Sequence, residues 1–252
     1  MRALRRVGGW ITGDRGRRAL GWTAGTGLAL SAACSLFVVP ADAEQGVVQR
    51  LMYVHVPTAW VAYLAFTVVF AASVAYLRTR RTRWDRLAEA SAEVGVVFTG
   101  LTIVLGALWG RPTWGVWWTW DPRLTTTAIL FLIYLGYLAV RRLPENATRA
   151  YRWAAVVGIL GFLDVPLVHL SVLWWRGLHQ PPSVLRVQGP TIAPSMLLTL
   201  ILAVAAFTAA YLWLLLTRMR LRRAEERAMS VLLRDPVARV TSPQSTEDGV
   251  RR

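Results

Sequence analysis

Lysine is absent from the chain, and cysteine occurs once, as Cys34. A lone cysteine excludes an internal disulfide, a CxxC metal pair and a CxxCH attachment motif. Nothing resembles a Walker A loop, so any ATP work belongs to a partner. No internal repeat is visible, and no stretch reads as a soluble domain. Charge is scarce as well: 17% of the 252 residues are charged, against 55% hydrophobic. The charges cluster between apolar runs of about 20 residues, the length that crosses the hydrocarbon core of a bilayer.

Six spans are predicted: 19–39, 51–77, about 87–110, 124–140, 153–175 and about 194–217. In lipid each must be a helix, because a lone strand leaves its backbone groups unpaired. The fold class is therefore all-α, a polytopic membrane protein with six transmembrane helices. An even number of spans puts both termini on one side. Arginine decides which: 24 of the 29 fall in residues 1–18, 78–86, 141–152 and 218–252, against Arg50, Arg111, Arg123, Arg176 and Arg186 in the other loops. The positive-inside rule places both termini in the cytoplasm. The chain thus divides into a basic N-terminus (1–18), a membrane domain (19–217) with an outer loop at 109–123, and a basic tail (218–252). The +15 net charge is accounted for by topology and attraction to anionic lipid, without a nucleic acid.

The first apolar run ends near a small-residue site at Pro40–Ala43, but its length favours a retained helix over a cleaved signal peptide. In the tail, RMRLRRAEERAMSVLLRD reads as a basic surface helix and TSPQSTEDGVRR as disordered.

The outer loop between spans three and four reads WGVWWTWDPRLT, residues 114–125. Tryptophan belts line most membrane interfaces, and Trp10, Trp22 and Trp84 need no other reading. Density sets this loop apart: Trp109, Trp114, Trp117, Trp118 and Trp120 are five of the thirteen tryptophans. If the loop is helical, Trp114, Trp117, Trp118 and Asp121 recur at i, i+3, i+4 and i+7, forming an aromatic platform suited to a large planar ligand. Asp121 before Pro122 is also a helix-start signal, with aspartate as N-cap and proline as first residue of span four.

Only three histidines occur, His55, His169 and His179, and the topology puts all of them at or near the outer face. An imidazole in lipid is costly unless it faces a partner. Three of them level with an aromatic platform suggest a metal, and two neutral imidazoles beside such a platform suggest haem iron with two axial ligands. Arg111, Arg123 and Arg176 are candidates to pair with two propionates. Position alone does not separate His179 from His169, which sits at a depth more like that of His55.

WGVWWTWDPRLT, with YVHVP around His55 and SVLWWRGLHQ before and including His179, resembles the tryptophan-rich signature of the CcmC family of cytochrome c maturation proteins, over about residues 45–215. The resemblance implies a protein of the bacterial cytoplasmic membrane that presents transiently bound, non-covalent haem b at the outer face to a CcmE-like haem chaperone. A CcmA/CcmB-like ABC transporter and a CcmD-like small membrane protein are the implied partners. The implied site is His55 and His179 as axial ligands, with Trp114, Gly115, Trp117, Trp118, Trp120, Asp121 and Arg123 around the macrocycle. It implies no catalytic residue; at most the chain assists covalent attachment of haem to the chaperone.

Two other readings fit the residues. A membrane electron-transfer cytochrome b would use the same iron chemistry but would need ligands near both faces. A small-molecule permease would treat the tryptophans as a belt and Asp164, near the middle of span five and two residues before Pro166, as a pathway residue. The bland account of Asp164 is a hydrogen-bonded carboxyl locking helices together.

Overall fold

The computed structural model describes residues 13–143, 146–175, 177–180, 183, 184 and 186–240, the last nine as backbone only. The basic residues before 13, Arg176 and the 241–252 tail lie outside the described residues.

Each apolar run forms a helix, the one conformation that pairs an isolated segment's backbone in lipid. Helix α1 (Asp14–Ala33) is prolonged by a wide π-type turn, Cys34–Val38, and a 3₁₀ turn at Val47–Leu51 leads into α2 (Met52–Thr79). Then come α3 (Thr82–Trp114), α4 (Pro122–Val140), α5 (Ala147–Phe162), α6 (Asp164–Trp174) and α7 (Pro194–Val240). No strand occurs among the described residues beyond one antiparallel bridge, Asp42 with Gly46.

Six segments are long and apolar enough to cross a membrane: Asp14–Val38, Val47–Thr79, Thr82–Trp114, Pro122–Val140, Ala147–Trp174 and Pro194–Val231. The six predicted spans are all present. The third and sixth extend furthest past their apolar cores, because a helix continues into water wherever its residues tolerate the conformation. Residues 218–240 accordingly prolong α7 as one uninterrupted helix instead of forming a separate one.

The fifth span breaks at Leu163, whose N–H reaches back to the Leu160 carbonyl at 3.1 Å. Pro166 has no N–H for the Phe162 carbonyl, and its ring crowds that oxygen, so the α-helical ladder of α5 is interrupted before α6 begins at Asp164. Asp164 opens α6, with its Oδ2 buried and without a partner among the described residues.

Helix α2 is the centre, packed on α3, α5 and α7, while α1 lies mainly against α7. Phe66 of α2 stacks on Tyr134 of α4, ring centroids 3.6 Å apart, and the Tyr134 hydroxyl donates to the Gly158 carbonyl on α5 at 3.2 Å. The α2–α3 approach depends on Gly95, where a Cβ would sit 2.6 Å from the Phe66 ring.

One end of the bundle is laced with ion pairs. Arg141 forks onto both oxygens of Asp85, at 2.8 and 2.6 Å, with both side chains almost fully buried. Arg222 reaches Glu89 and Glu93 at 2.8 and 2.6 Å, and Arg218 also pairs with Glu93. The opposite end gathers the start of α2, the end of α3, the start of α4 and the end of α6, with those predicted site residues that are described.

Candidate functional site

Helix α3 stops at Trp114 because Gly115 adopts a left-handed conformation, φ 80°, which a Cβ would strain. Its N–H closes the helix on the Arg111 carbonyl at 3.0 Å, and its own carbonyl accepts from the Arg111 guanidinium at 2.6 Å. Residues 116–121 then run without helix. The helical spacing of Trp114, Trp117, Trp118 and Asp121 therefore does not build one helical face. The loop folds the tryptophans differently: Trp118 and Trp120 meet edge to face at 5.5 Å, while Trp117 and Trp120 are 56% and 77% exposed.

Asp121 does two things with two oxygens. Its Oδ1 accepts from the Leu124 N–H at 2.8 Å, the predicted N-cap of α4, with Pro122 as first helical residue. Its Oδ2 faces His179 Nδ1 at 3.3 Å. A carboxylate oxygen can only accept here, so Nδ1 carries the proton and Nε2 keeps its lone pair. The other side of the ring lies against Trp114, centroids 4.8 Å apart. Burial pushes the His179 imidazole below its ordinary range; Asp121 works against that shift and Arg123 adds to it. The net direction keeps the ring neutral and available as a ligand at pH 7.

His55 lies about one turn into α2, its ring edge-on to Trp109 at 5.7 Å. Gly106 on α3 makes the space, since a Cβ there would come within 3.1 Å of the ring. Trp109 is held in turn by its indole N–H donating to Gln45 Oε1 at 2.9 Å. Gln45 and Gly106 were not singled out by sequence, and Trp109 only as one of the loop's five tryptophans; the Gly106–Trp109 spacing of three, which puts both on one helical face, was the available signal.

The two imidazoles are close enough to interact electrostatically, and Arg123 lies within the same reach of both. Arg123 also donates to the His169 carbonyl at 3.1 Å. His169 itself turns elsewhere: its ring packs edge-on to Tyr63 at 6.2 Å, eight residues, about two turns, further along α2 than His55. Of the outer arginines, Arg111 is spent on the Gly115 carbonyl and Arg176 lies outside the described residues.

Several buried polar atoms without a partner gather at this end: His55 Nδ1, Trp118 Nε1, Thr119 Oγ1, Arg123 Nε and Thr125 Oγ1. Such atoms are costly unless something else satisfies them. The cleft between the start of α4 and the end of α6, lined by Asp121, Arg123, Trp175 and His179 among others, has only about 140 Å³ of empty space. A macrocycle fits these residues only as a surface ligand lying along the rim.

Fold and site define a class: a multi-pass helical membrane protein that holds two imidazoles, an arginine and an exposed indole cluster at one membrane rim. Residues 12–234 match the model of the family described as CcmC, Heme exporter protein C. The chain is 42% identical over 183 residues to Heme exporter protein C of Bradyrhizobium diazoefficiens, covering 73% of this chain and 70% of that protein. It is 40% identical over 195 residues to Heme exporter protein C of Haemophilus influenzae, covering 77% and 78%. It is 38% identical over 173 residues to a putative cytochrome c biosynthesis ccmC-like mitochondrial protein of Marchantia polymorpha, covering 69% and 73%. The chain belongs to the CcmC family, components of cytochrome c maturation, and is a multi-pass protein of the bacterial inner membrane.

Proposed function

We propose that this chain binds haem b transiently and without a covalent bond at the outer rim of the membrane, and presents it to a CcmE-like haem chaperone. His55 and His179 take the two axial positions. The observation that carries this reading is their convergence: two imidazoles and Arg123 within mutual electrostatic reach, one ring already held in a single tautomer by Asp121. Among the described residues no three ligating side chains cluster to hold a bare ion. Two imidazoles suffice only if the cargo brings its own equatorial ligands, as a porphyrin does.

The remaining roles follow from chemistry. Trp114, Trp117, Trp118 and Trp120 offer apolar faces to the macrocycle, with Gly115 setting the bend between the first and the rest. Arg123 offers a guanidinium, and Trp118 an indole N–H, to propionate oxygens. The exposure of Trp117 and Trp120 suits a ligand that must be handed on. The arginine-rich end is placed in the cytoplasm by charge, which puts the site where an exported ligand is needed. A CcmA/CcmB-like transporter and a CcmD-like small protein are the proposed neighbours.

The test is coexpression with the chaperone, scoring its covalent haem adduct alongside haem that copurifies with this chain. His55→Ala should abolish a two-histidine absorption spectrum, and Trp118→Ala and His179→Ala should each lower the adduct at unchanged protein level. Unchanged haem content in His55→Ala rejects the axial assignment. The permease reading draws one observation, the unpartnered Asp164 carboxylate oxygen in the break of the fifth span. It requires an activity lost in Asp164→Asn and kept in Trp118→Ala.

A further inference from the structure

A second feature of the site end is independent of the histidines. The π-type turn after α1, the 3₁₀ turn, the start of α2 and the end of α3 enclose an open groove of about 710 Å³, lined by Leu36, Val47, Arg50, Val54, Leu108 and Pro112 among others. Leu36, Val47, Val54 and Leu108 expose between 39% and 62% of their surface, so the lining is largely apolar and uncovered. Among the described residues Arg50 is the only charged one lining it.

No carboxylate among the described residues lines the groove beside Arg50, whose Nε is buried without a partner. Asp42, in the preceding loop, turns its Oδ1 to the Glu44 and Gln45 N–H groups at 3.0 and 2.9 Å and does not line the groove. The half-buried Arg50 guanidinium stands at the edge of this apolar groove, where an anionic headgroup is its natural partner. Beyond it the groove offers only hydrocarbon contacts.

We infer that this groove binds an anionic phospholipid, its phosphate on Arg50 and an acyl chain along Leu36, Val54 and Leu108. The charge complement selects the headgroup. A zwitterionic lipid brings an ammonium that no lining side chain can accept, whereas a phosphatidylglycerol headgroup leaves the phosphate as its only charge. The volume lies within the range of ligand pockets, and basic pockets between transmembrane helices are known to take anionic headgroups.

The protein reconstituted in nanodiscs of mixed phosphatidylglycerol and phosphatidylcholine, released and weighed by native mass spectrometry, tests this. The wild type should retain one phosphatidylglycerol, preferred about fivefold over phosphatidylcholine, the effect of a single interfacial cation. Arg50→Gln should abolish the preference. Leu108→Trp, which fills the groove and keeps the charge, should abolish retention, and neither change should alter the haem that copurifies. In the unmutated protein a photoactivatable phosphatidylglycerol should crosslink to the segments holding Leu36, Val54 and Leu108, so the inference does not depend on the variants folding. Equal retention of both lipids, crosslinks confined to other helices, or a tetrapyrrole adduct lost with Arg50→Gln would each overturn it.

Discussion

Asp121 carries two roles on one carboxylate, and they can be separated. Asparagine caps helices about as well as aspartate, so Asp121→Asn keeps the bond to the Leu124 N–H and leaves the thermal transition unchanged. What it loses is the anionic partner of His179. Carboxylates that orient a ligating imidazole are worth about 10–100-fold in affinity, and haem occupancy should fall within that range. Asp121→Ala should lose the same affinity and about 1 kcal/mol of stability besides. The same pair sets the pH dependence. A proton competes with iron for the His179 lone pair, so binding weakens as pH falls. Because burial lowers the His179 pKa from its ordinary 6.5, release should begin only below that range. Asp121 pulls the pKa upward, so in Asp121→Asn the unliganded His179 should titrate at still lower pH while haem binding at pH 7 weakens. Titrating the two-histidine absorption band of the wild type, and the His179 imidazole of both haem-free proteins by NMR, measures these effects. Release of haem centred above pH 6.5 in the wild type would contradict them.

At the level of elements, the loop after α3 turns on Gly115. Alanine there must adopt a left-handed conformation that costs about 1–2 kcal/mol, or else extend α3 and swing Trp117, Trp118 and Trp120. Gly115→Ala should therefore cut the chaperone's haem adduct severely while membrane insertion is kept. Circular dichroism should show helicity retained; a full adduct yield would mean the bend is dispensable. This loop also marks where sequence reading runs out. Trp114, Trp117, Trp118 and Asp121 carry helical spacing, yet one glycine with positive φ, a local helix-stop signal, outweighs it. The spans themselves were legible because in lipid an apolar run has one option. The N-cap at Asp121 was legible too, as a short-range signal. The contact between His55 and Trp109 was not, because it depends on how α2 and α3 meet across Gly106. Nor was the separation of His169 from His179: His169 turns to Tyr63, while the chain beyond α6 carries His179 to Asp121.

At the scale of the whole molecule, charge is sorted between the two ends, and the sorting has a consequence for orientation. The arginine-rich end binds much of its own charge: Arg141 on Asp85, Arg222 on Glu89 and Glu93, Arg218 on Glu93, Arg86 on Glu226. These acids do not cancel the topological signal, because orientation follows arginine and lysine near the span ends and not net charge. At the other end Arg50, Arg111 and Arg123 are each surrounded by site or groove residues, and two of them already contact backbone carbonyls. On the proposed reading those few arginines serve local chemistry and the many at the opposite end serve direction. A fluorescent protein fused after α7 should therefore fluoresce, and alkaline phosphatase fused at the same point should be inactive. Phosphatase inserted between Val116 and Trp117 should be active. The reverse pattern would put the indole cluster in the cytoplasm, where a site for exported haem has no use, and would remove the functional proposal together with the orientation.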